Sequence, residues 1–176
     1  MRTCKSCRSK FKPTYSSVQM CCSPKCAYEY SKLQDKKKKE KEWKKEKKQI
    51  KESLKTNADH VRELQVIFNK FIRLRDKGDN CISCGKPCKK ENAGHYYSAG
   101  GNPELRFNED NVHLQCEYCN TFLHGNLLNY TDNLVSKIGL CKFNELKKLR
   151  GEPRKYSIPE LIELKVIYRD KIKNLK

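Results

Sequence analysis

Cysteines in this chain come in pairs whose spacing suits metal binding. Cys4-Lys5-Ser6-Cys7 is followed, after fourteen intervening residues, by Cys22-Ser23-Pro24-Lys25-Cys26. Cys81-Ile82-Ser83-Cys84 and Cys116-Glu117-Tyr118-Cys119 repeat the theme, with 31 residues between the two knuckles. Four thiolates at such spacings match tetrahedral Zn²⁺ with bonds of about 2.3 Å. Two structural zinc sites are therefore expected, one of Cys4, Cys7, Cys22 and Cys26, the other of Cys81, Cys84, Cys116 and Cys119. Cys21 competes for the third place in the first site. Cys22 is preferred, because its three-residue gap to Cys26 suits a Ser23-Pro24 turn into a short helix, whereas Cys21 would face the other way along the chain. Cys88 is an alternative ligand in the second site, and Cys141 reads as a buried or free thiol. Eleven cysteines in 176 residues, about 6%, is below the roughly 8–10% typical of disulfide scaffolds. Paired CxxC units in a reducing compartment point to metal.

Polar residues able to bind metal or accept protons crowd the second pair of knuckles: Gly94-His95, Asn108-Glu109-Asp110-Asn111 and Cys119-Asn120, with His124 four residues on. Elements must position them. Thr56 to Asp59 resembles a capping box, and Val61, Leu64, Ile67, Phe68, Phe71, Ile72 and Leu74 recur at three- and four-residue spacing up to Gly78, which predicts an amphipathic helix. Short strands are expected around His95-Tyr96-Tyr97 and Val112-His113-Leu114. A helical run from Thr131 should break at Gly139, with another from Phe143 to Arg150. Ser157, Pro159 and Glu160 open a last helix whose stripe is Leu161, Leu164, Tyr168, Ile172 and Leu175. Packing of that stripe on the small core is the expectation; self-association is the alternative.

The domain reading is 1–30, an N-terminal zinc module; 31–55, a lysine-rich helical linker; 56–150, a domain with a preceding amphipathic helix; and 151–176, a C-terminal helix. Residues 32–55 hold 12 lysines against five acidic residues, without Gly or Pro, as in a solvated helix or a partly disordered tether. The whole chain has 39 Lys and Arg against 21 Asp and Glu, a net charge of +18. Such a surplus predicts a polyanionic partner and argues against an enzyme of small neutral metabolites. Mean hydropathy is −0.92, and no run of the roughly 18–20 apolar residues of a membrane span occurs. Met1-Arg2-Thr3-Cys4-Lys5 leads into no apolar signal region, so a reducing cytoplasm is the expected location.

The order CxxC, Gly-His, Asn-x-x-x-x-Cys-x-x-Cys-Asn resembles the HNH, or ββα-metal, nucleases. Cys-Ser-Pro-x-Cys, the lysine-rich tether, Cys-Ile-Ser-Cys-Gly, Ala-Gly-His-Tyr, Leu-Arg-Phe-Asn-Glu, Gln-Cys-x-x-Cys-Asn and Gly-Asn-Leu together resemble the phage NinG/Rap recombination proteins over nearly the whole length. The resemblance implies a small α+β fold: a zinc-stapled ββα-metal finger packed with helices, plus an N-terminal zinc ribbon and a lysine-rich helical arm. It implies a metal-dependent endonuclease that cuts branched DNA, Holliday junctions and strand-invasion intermediates, in phage recombination. His95 matches the general base, Asn111 the asparagine that braces the loop and aims it, and Asn120, at the start of the finger helix, a ligand of catalytic Mg²⁺ or Mn²⁺. His124, one helical turn on and on the same face, is placed to touch the phosphate or the metal. Many such nucleases carry an aspartate where this chain has Gly94; Glu109, Asp110, Asn92 or His124 are candidates to replace it. A symmetric resolvase implies a homodimer, through the helix from Thr56 or the one from Ser157, with a phage recombinase as a candidate further partner. The alternative is a zinc-finger nucleic-acid adaptor without chemistry.

Overall fold

The computed structural model describes residues 1–152 and 154–175. They form two compact units, Met1–Lys55 and Thr56–Lys176. In the first, strands β1 (Arg2–Thr3) and β2 (Lys10–Phe11) pair antiparallel with Arg2 opposite Phe11. The turn between them carries Cys4 and Cys7 and closes through Arg8 N–H to the Cys4 carbonyl at 3.0 Å, Arg8 taking a left-handed φ of 63°. Ser23 then caps helix α1 (Pro24–Ser53), its hydroxyl accepting from the Cys26 N–H. The short helix expected after Ser23-Pro24 and the lysine-rich linker are one 30-residue helix, so a boundary at residue 30 falls inside it. No residue of α1 is buried. Its helicity rests on local terms: no glycine, no proline after the first turn, and opposite charges four apart such as Asp35/Lys39 and Glu40/Lys44.

The second unit has a core because its helices are amphipathic. Thr56 and Asp59 complete a reciprocal capping box on α2 (Asn57–Arg75). Its Leu64, Phe68, Phe71 and Ile72 pack against Leu161, Tyr168 and Ile172 of α4 (Ile158–Asn174), with the Phe68 and Tyr168 rings edge-on at 4.9 Å. Leu164 is partly buried in the same cluster and Leu175 is exposed. The stripe of α4 thus packs on the core, and α2 and α4, the two candidate dimer helices, use up their inner faces on each other. Buried Lys165 of α4 crosses to His60 Nδ1 at 2.8 Å and Glu63 at 2.9 Å on α2. Because α4 shares this core, residues 151–176 do not stand apart from 56–150.

Strands β3 (Glu91–His95) and β4 (Val112–Cys116) form a two-stranded antiparallel ribbon running from Glu91↔Cys116 to His95↔Val112. The first strand ends at His95, so Tyr96 and Tyr97 lie beyond it. Ala93 and Val112 face the α2/α4 core. Helix α3 (Leu127–Leu149) packs with Ile82 and Leu105 through Tyr130, Leu134, Phe143 and Leu146. It begins four residues before Thr131, and Gly139, with non-helical φ 82° and ψ 156°, divides it into two helical segments, the break expected there. No helix among the described residues is long and apolar enough to cross a membrane.

Asp76, capping α2, ties this helix to the ribbon. Its carboxylate accepts from the Leu114 N–H at 2.9 Å and pairs with Arg75 at 2.7 Å, while Arg75 donates to the Glu109 and Val112 carbonyls. Burial alone would raise the Asp76 carboxyl; the Arg75 guanidinium outweighs it and holds the group below the usual carboxylate range. A folded value below the unfolded one gives stability above about pH 4 that disappears as pH falls through the folded value. Asp76→Ala is expected to cost about 3 kcal/mol in urea unfolding at pH 7, since it leaves Arg75 half-buried and unpaired, and the difference from the unsubstituted protein should shrink on acidification. Equal midpoints at pH 7 would contradict this role.

Candidate functional site

The Sγ atoms of Cys4, Cys7, Cys22 and Cys26 all lie within 4.8 Å of one another. Cys7 to Cys22 is 3.5 Å, Cys22 to Cys26 is 3.6 Å, and the Cys22 N–H points at the Cys4 sulfur at 3.4 Å. Cys21 is buried outside the group, as the helix turn after Ser23 requires. Desolvation works against the Cys4 thiolate, but amides of Cys22, Cys7 and Ser6 directed at it prevail and lower it to about 6. Contact with its three sulfur neighbours pushes Cys22 up to about 12. Four sulfurs this close hold protons between them unless a cation takes their place, which is the donor set of structural zinc.

Cys81, Cys84, Cys116 and Cys119 form a second such group. The loop carrying the first two is hung on the ribbon by Ile82 N–H to the Leu114 carbonyl at 3.0 Å, and it turns back through Gly85 N–H to the Cys81 carbonyl at 2.8 Å. Burial opposes the Cys81 thiolate, yet amides of Cys116, Cys84 and Ser83 lower it to about 7. Cys88 lies outside the group, its thiol pushed up to about 12 by burial. Cys141 is exposed on α3, neither buried nor near either cluster, 3.8 Å from the Glu145 carboxylate.

His95 closes β3 at the ribbon end remote from the cysteines. It is half-buried, and its Nε2 lies 3.0 Å from the Arg106 carbonyl. A carbonyl only accepts, so Nε2 carries the proton and Nδ1 keeps its lone pair. Burial lowers the imidazole below its ordinary value, against the opposing pull of that carbonyl, and leaves the ring neutral at pH 7. Asn111 is fully buried next to it. The Asn111 Oδ1 accepts from the Tyr97 N–H at 2.8 Å, and Nδ2 donates to the Tyr97 and Leu105 carbonyls at 3.0 Å each. With Tyr96 N–H bonded to the Asn111 carbonyl at 2.9 Å, one amide ties both ends of the loop that leaves and re-enters the ribbon.

The other ribbon face, toward α3, holds a buried polar group that sequence spacing did not single out. Gln115 is fully buried; its Nε2 donates to Ser83 Oγ and to the Gly125 carbonyl, both at 2.6 Å, and Oε1 has no partner. Tyr130 donates to the Gly94 carbonyl at 2.9 Å, beside the His113 ring, which burial holds neutral with a value of about 3. These residues meet because strand alternation places 92, 94, 113 and 115 on one face. A Cβ at residue 94 would lie 2.0 Å from Gln115 Oε1 and 2.9 Å from its Cβ. The place of the expected aspartate is therefore filled by Gln115.

Asn120 is not at a helix start. It lies in a five-residue π-helical turn, Tyr118–Phe122, and α3 begins only at Leu127 after Gly125 and Asn126 in left-handed conformations. His124 is exposed at φ 49° in that turn, so the two do not share a helical face. Neither side chain hydrogen-bonds to any described residue, and none of these contacts joins them to His95. Gly125 N–H to the Cys119 carbonyl, at 2.8 Å, folds the turn back toward the ribbon, where Tyr130, not Asn120, touches residue 94. Glu109 is engaged by Lys171 and Asp110 by Lys142 at 3.3 Å. Asn92 is half-buried on β3, opposite Gln115. Among the described residues, the two thiol groups are the only clusters of three or more His, Cys, Asp or Glu placed for a metal.

A family model described as "Bacteriophage Lambda NinG protein" matches residues 1–176. Curated relatives called protein ninG include one from Escherichia phage lambda, 35% identical over 192 residues that cover 99% of this chain and 93% of the relative. Another from Salmonella phage P22 is 33% identical over 192 residues, covering 99% and 94%, and one from Enterobacteria phage H19B is 35% identical over 190 residues, covering the same shares. No solved structure matches the chain.

Elemental analysis of the purified protein is expected to give two zinc ions per chain. Cys81→Ser should lose one of them, and Cys21→Ser should keep both; loss of zinc from the latter would reassign the first site. Gly94→Asp is expected to destabilise the fold by roughly 1–3 kcal/mol in thermal or urea unfolding, because it overpacks against Gln115. A neutral or stabilising effect would mean that the space is open to a carboxylate.

Proposed function

The chain belongs to the NinG family of phage proteins, and from that premise we propose that it is a metal-dependent endonuclease acting on branched DNA recombination intermediates. The ribbon and α3 are read as a ββα-metal finger. The observation that carries the proposal is the His95 ring: neutral, half-buried at a strand end, with Nε2 committed to the Arg106 carbonyl and Nδ1 left as a base. His95 would take a proton from water as the oxygen attacks phosphorus and the 3′ oxygen departs on the opposite side. Asn111 aims the ring by bracing the loop and does no chemistry itself. A divalent cation, when bound through Asn120 and His124, would stabilise charge on the phosphoryl and leaving oxygens. Base and cation would meet across the bound phosphate. The +18 charge and the exposed lysines of α1 suit a DNA backbone, and cutting two strands symmetrically would use two copies of the chain.

The test compares a labelled four-way junction with a matched linear duplex in Mg²⁺ or Mn²⁺. The unsubstituted protein should nick the junction preferentially, and His95→Ala should slow nicking by roughly 10²- to 10⁴-fold while retaining affinity. Junction binding without nicks in either metal would leave a nucleic-acid adaptor. Lowering of the His95 value also predicts that the acid limb of the rate lies below pH 6.5, with activity maintained from there to neutrality. Neutralising several lysines between Lys36 and Lys55 should flatten the salt dependence of binding, its logarithmic slope falling by about 0.9 for each phosphate that a lysine no longer neutralises.

A further inference from the structure

The turn between the second knuckle and α3 is made of residues that a turn has no folding reason to expose. Tyr118 and Phe122 are 63% and 65% exposed, and Leu123, Leu127 and Leu128 also face solvent. The two rings lie 6.1 Å apart and tilted by 33°, offset and closer to parallel than to edge-on. A recess of about 380 Å³ runs from Tyr118 and Leu123 past Asn126 to Lys86, Lys89 and Lys90. Lys90 pairs with Glu117, whereas the exposed Lys86 and Lys89 amines have no ion-pair partner among the described residues. The cysteine group beneath makes this a rigid platform: Cys116 and Cys119 flank Tyr118, and Glu117 N–H bonds to the Lys90 carbonyl at 3.1 Å.

Contiguous exposed apolar surface marks an interaction site, and the rim chemistry selects the partner. Lysine is depleted in protein–protein contacts, whereas aromatic faces bordered by free ammonium groups are how proteins hold unpaired bases with their phosphates. We propose that Tyr118 and Phe122, with Lys86 and Lys89, form a stacking site for unpaired bases of DNA, which selects the branch point over uninterrupted duplex. The site rests on the branched-DNA reading above and deepens it by naming what the protein senses at the branch. Bases paired in duplex bury their faces in the stack, so the site is blind to them. At a junction, or at the edge of a displaced strand, a base face is free for the rings and its phosphate for the lysines.

The test uses the full chain with zinc bound, in buffer without Mg²⁺ or Mn²⁺, so that only binding is read. A four-way junction carrying 2-aminopurine at the branch is compared with a duplex carrying it at the centre. The unsubstituted protein should change the emission of the junction probe and leave that of the duplex probe unchanged. Tyr118→Ala/Phe122→Ala should lose the change and bind the junction on the order of 10-fold more weakly, with duplex affinity, zinc content and molar mass unaltered. Phe122→Tyr should retain both signals. Should the double variant lose zinc, Phe122→Leu, which keeps apolar bulk but not the ring face, is expected to lose the emission change. Unaltered junction binding, equal losses on junction and duplex, or a fall in molar mass that reveals an interface between copies would each overturn the proposal. Absence of nicking by the unsubstituted protein in metal would count against the nuclease and leave this stacking result standing.

Discussion

Two strands of five residues do not hold themselves together in water, so the register from Glu91↔Cys116 to His95↔Val112 depends on what clamps the two ends of the ribbon. At one end the clamp is the Cys81/Cys84/Cys116/Cys119 group, which joins the loop after α2 to the end of β4. At the other it is the fully buried Asn111 amide, bonded to Tyr97 and Leu105. Asp76 fastens the middle to α2. Everything at the candidate site is referred to this ribbon, because His95 is its last residue and the Arg106 carbonyl that fixes the ring belongs to the loop that Asn111 closes.

The two faces of the ribbon have different environments. Ala93 and Val112 meet the apolar α2/α4 layer, where dispersion and hydrophobic burial dominate. Gly94 and His113 meet Tyr130 of α3, and Gln115 makes directed hydrogen bonds to Ser83 and to the Gly125 carbonyl in the turn before α3. This network leaves Gln115 Oε1 without a partner, a cost that apolar packing alone would not incur. It also explains why glycine occupies position 94: the close approach of Gln115 leaves no room for a Cβ. The same approach leaves no room at position 94 for an aspartate side chain.

The first unit obeys a different balance. It buries Cys4 and Cys21 but no aliphatic or aromatic core, and α1 buries nothing. Order in its head therefore rests on the four-thiol group, whose geometry could hold a zinc ion, and order in α1 on local propensity and capping. Such an arrangement leaves the lysines of α1 exposed to solvent, where a polyanion can reach them.

Much of this was legible in the chain because it is written in local patterns. Cysteine spacing identified both thiol groups and preferred Cys22 over Cys21. Capping boxes and three- to four-residue periodicity located the starts of α2 and α4 and the residues they bury, since caps and periodicity act within one or two turns. Joining the Ser23 helix to the lysine segment, the left-handed residues that postpone α3 to Leu127, and the resulting loss of a shared face for Asn120 and His124 were not legible. Each depends on how the chain turns after a knuckle. Gln115, Tyr130 and Asp76 escaped notice for a related reason: their partners lie 10 to 38 residues away and meet only across packed elements. Composition and spacing determined the metal chemistry, the charge and the helices, because those are properties of short stretches; which polar atoms converge around residues 94 and 95 was decided by the tertiary fold, because hydrogen bonds between distant segments exist only once burial has excluded the water that competes for them.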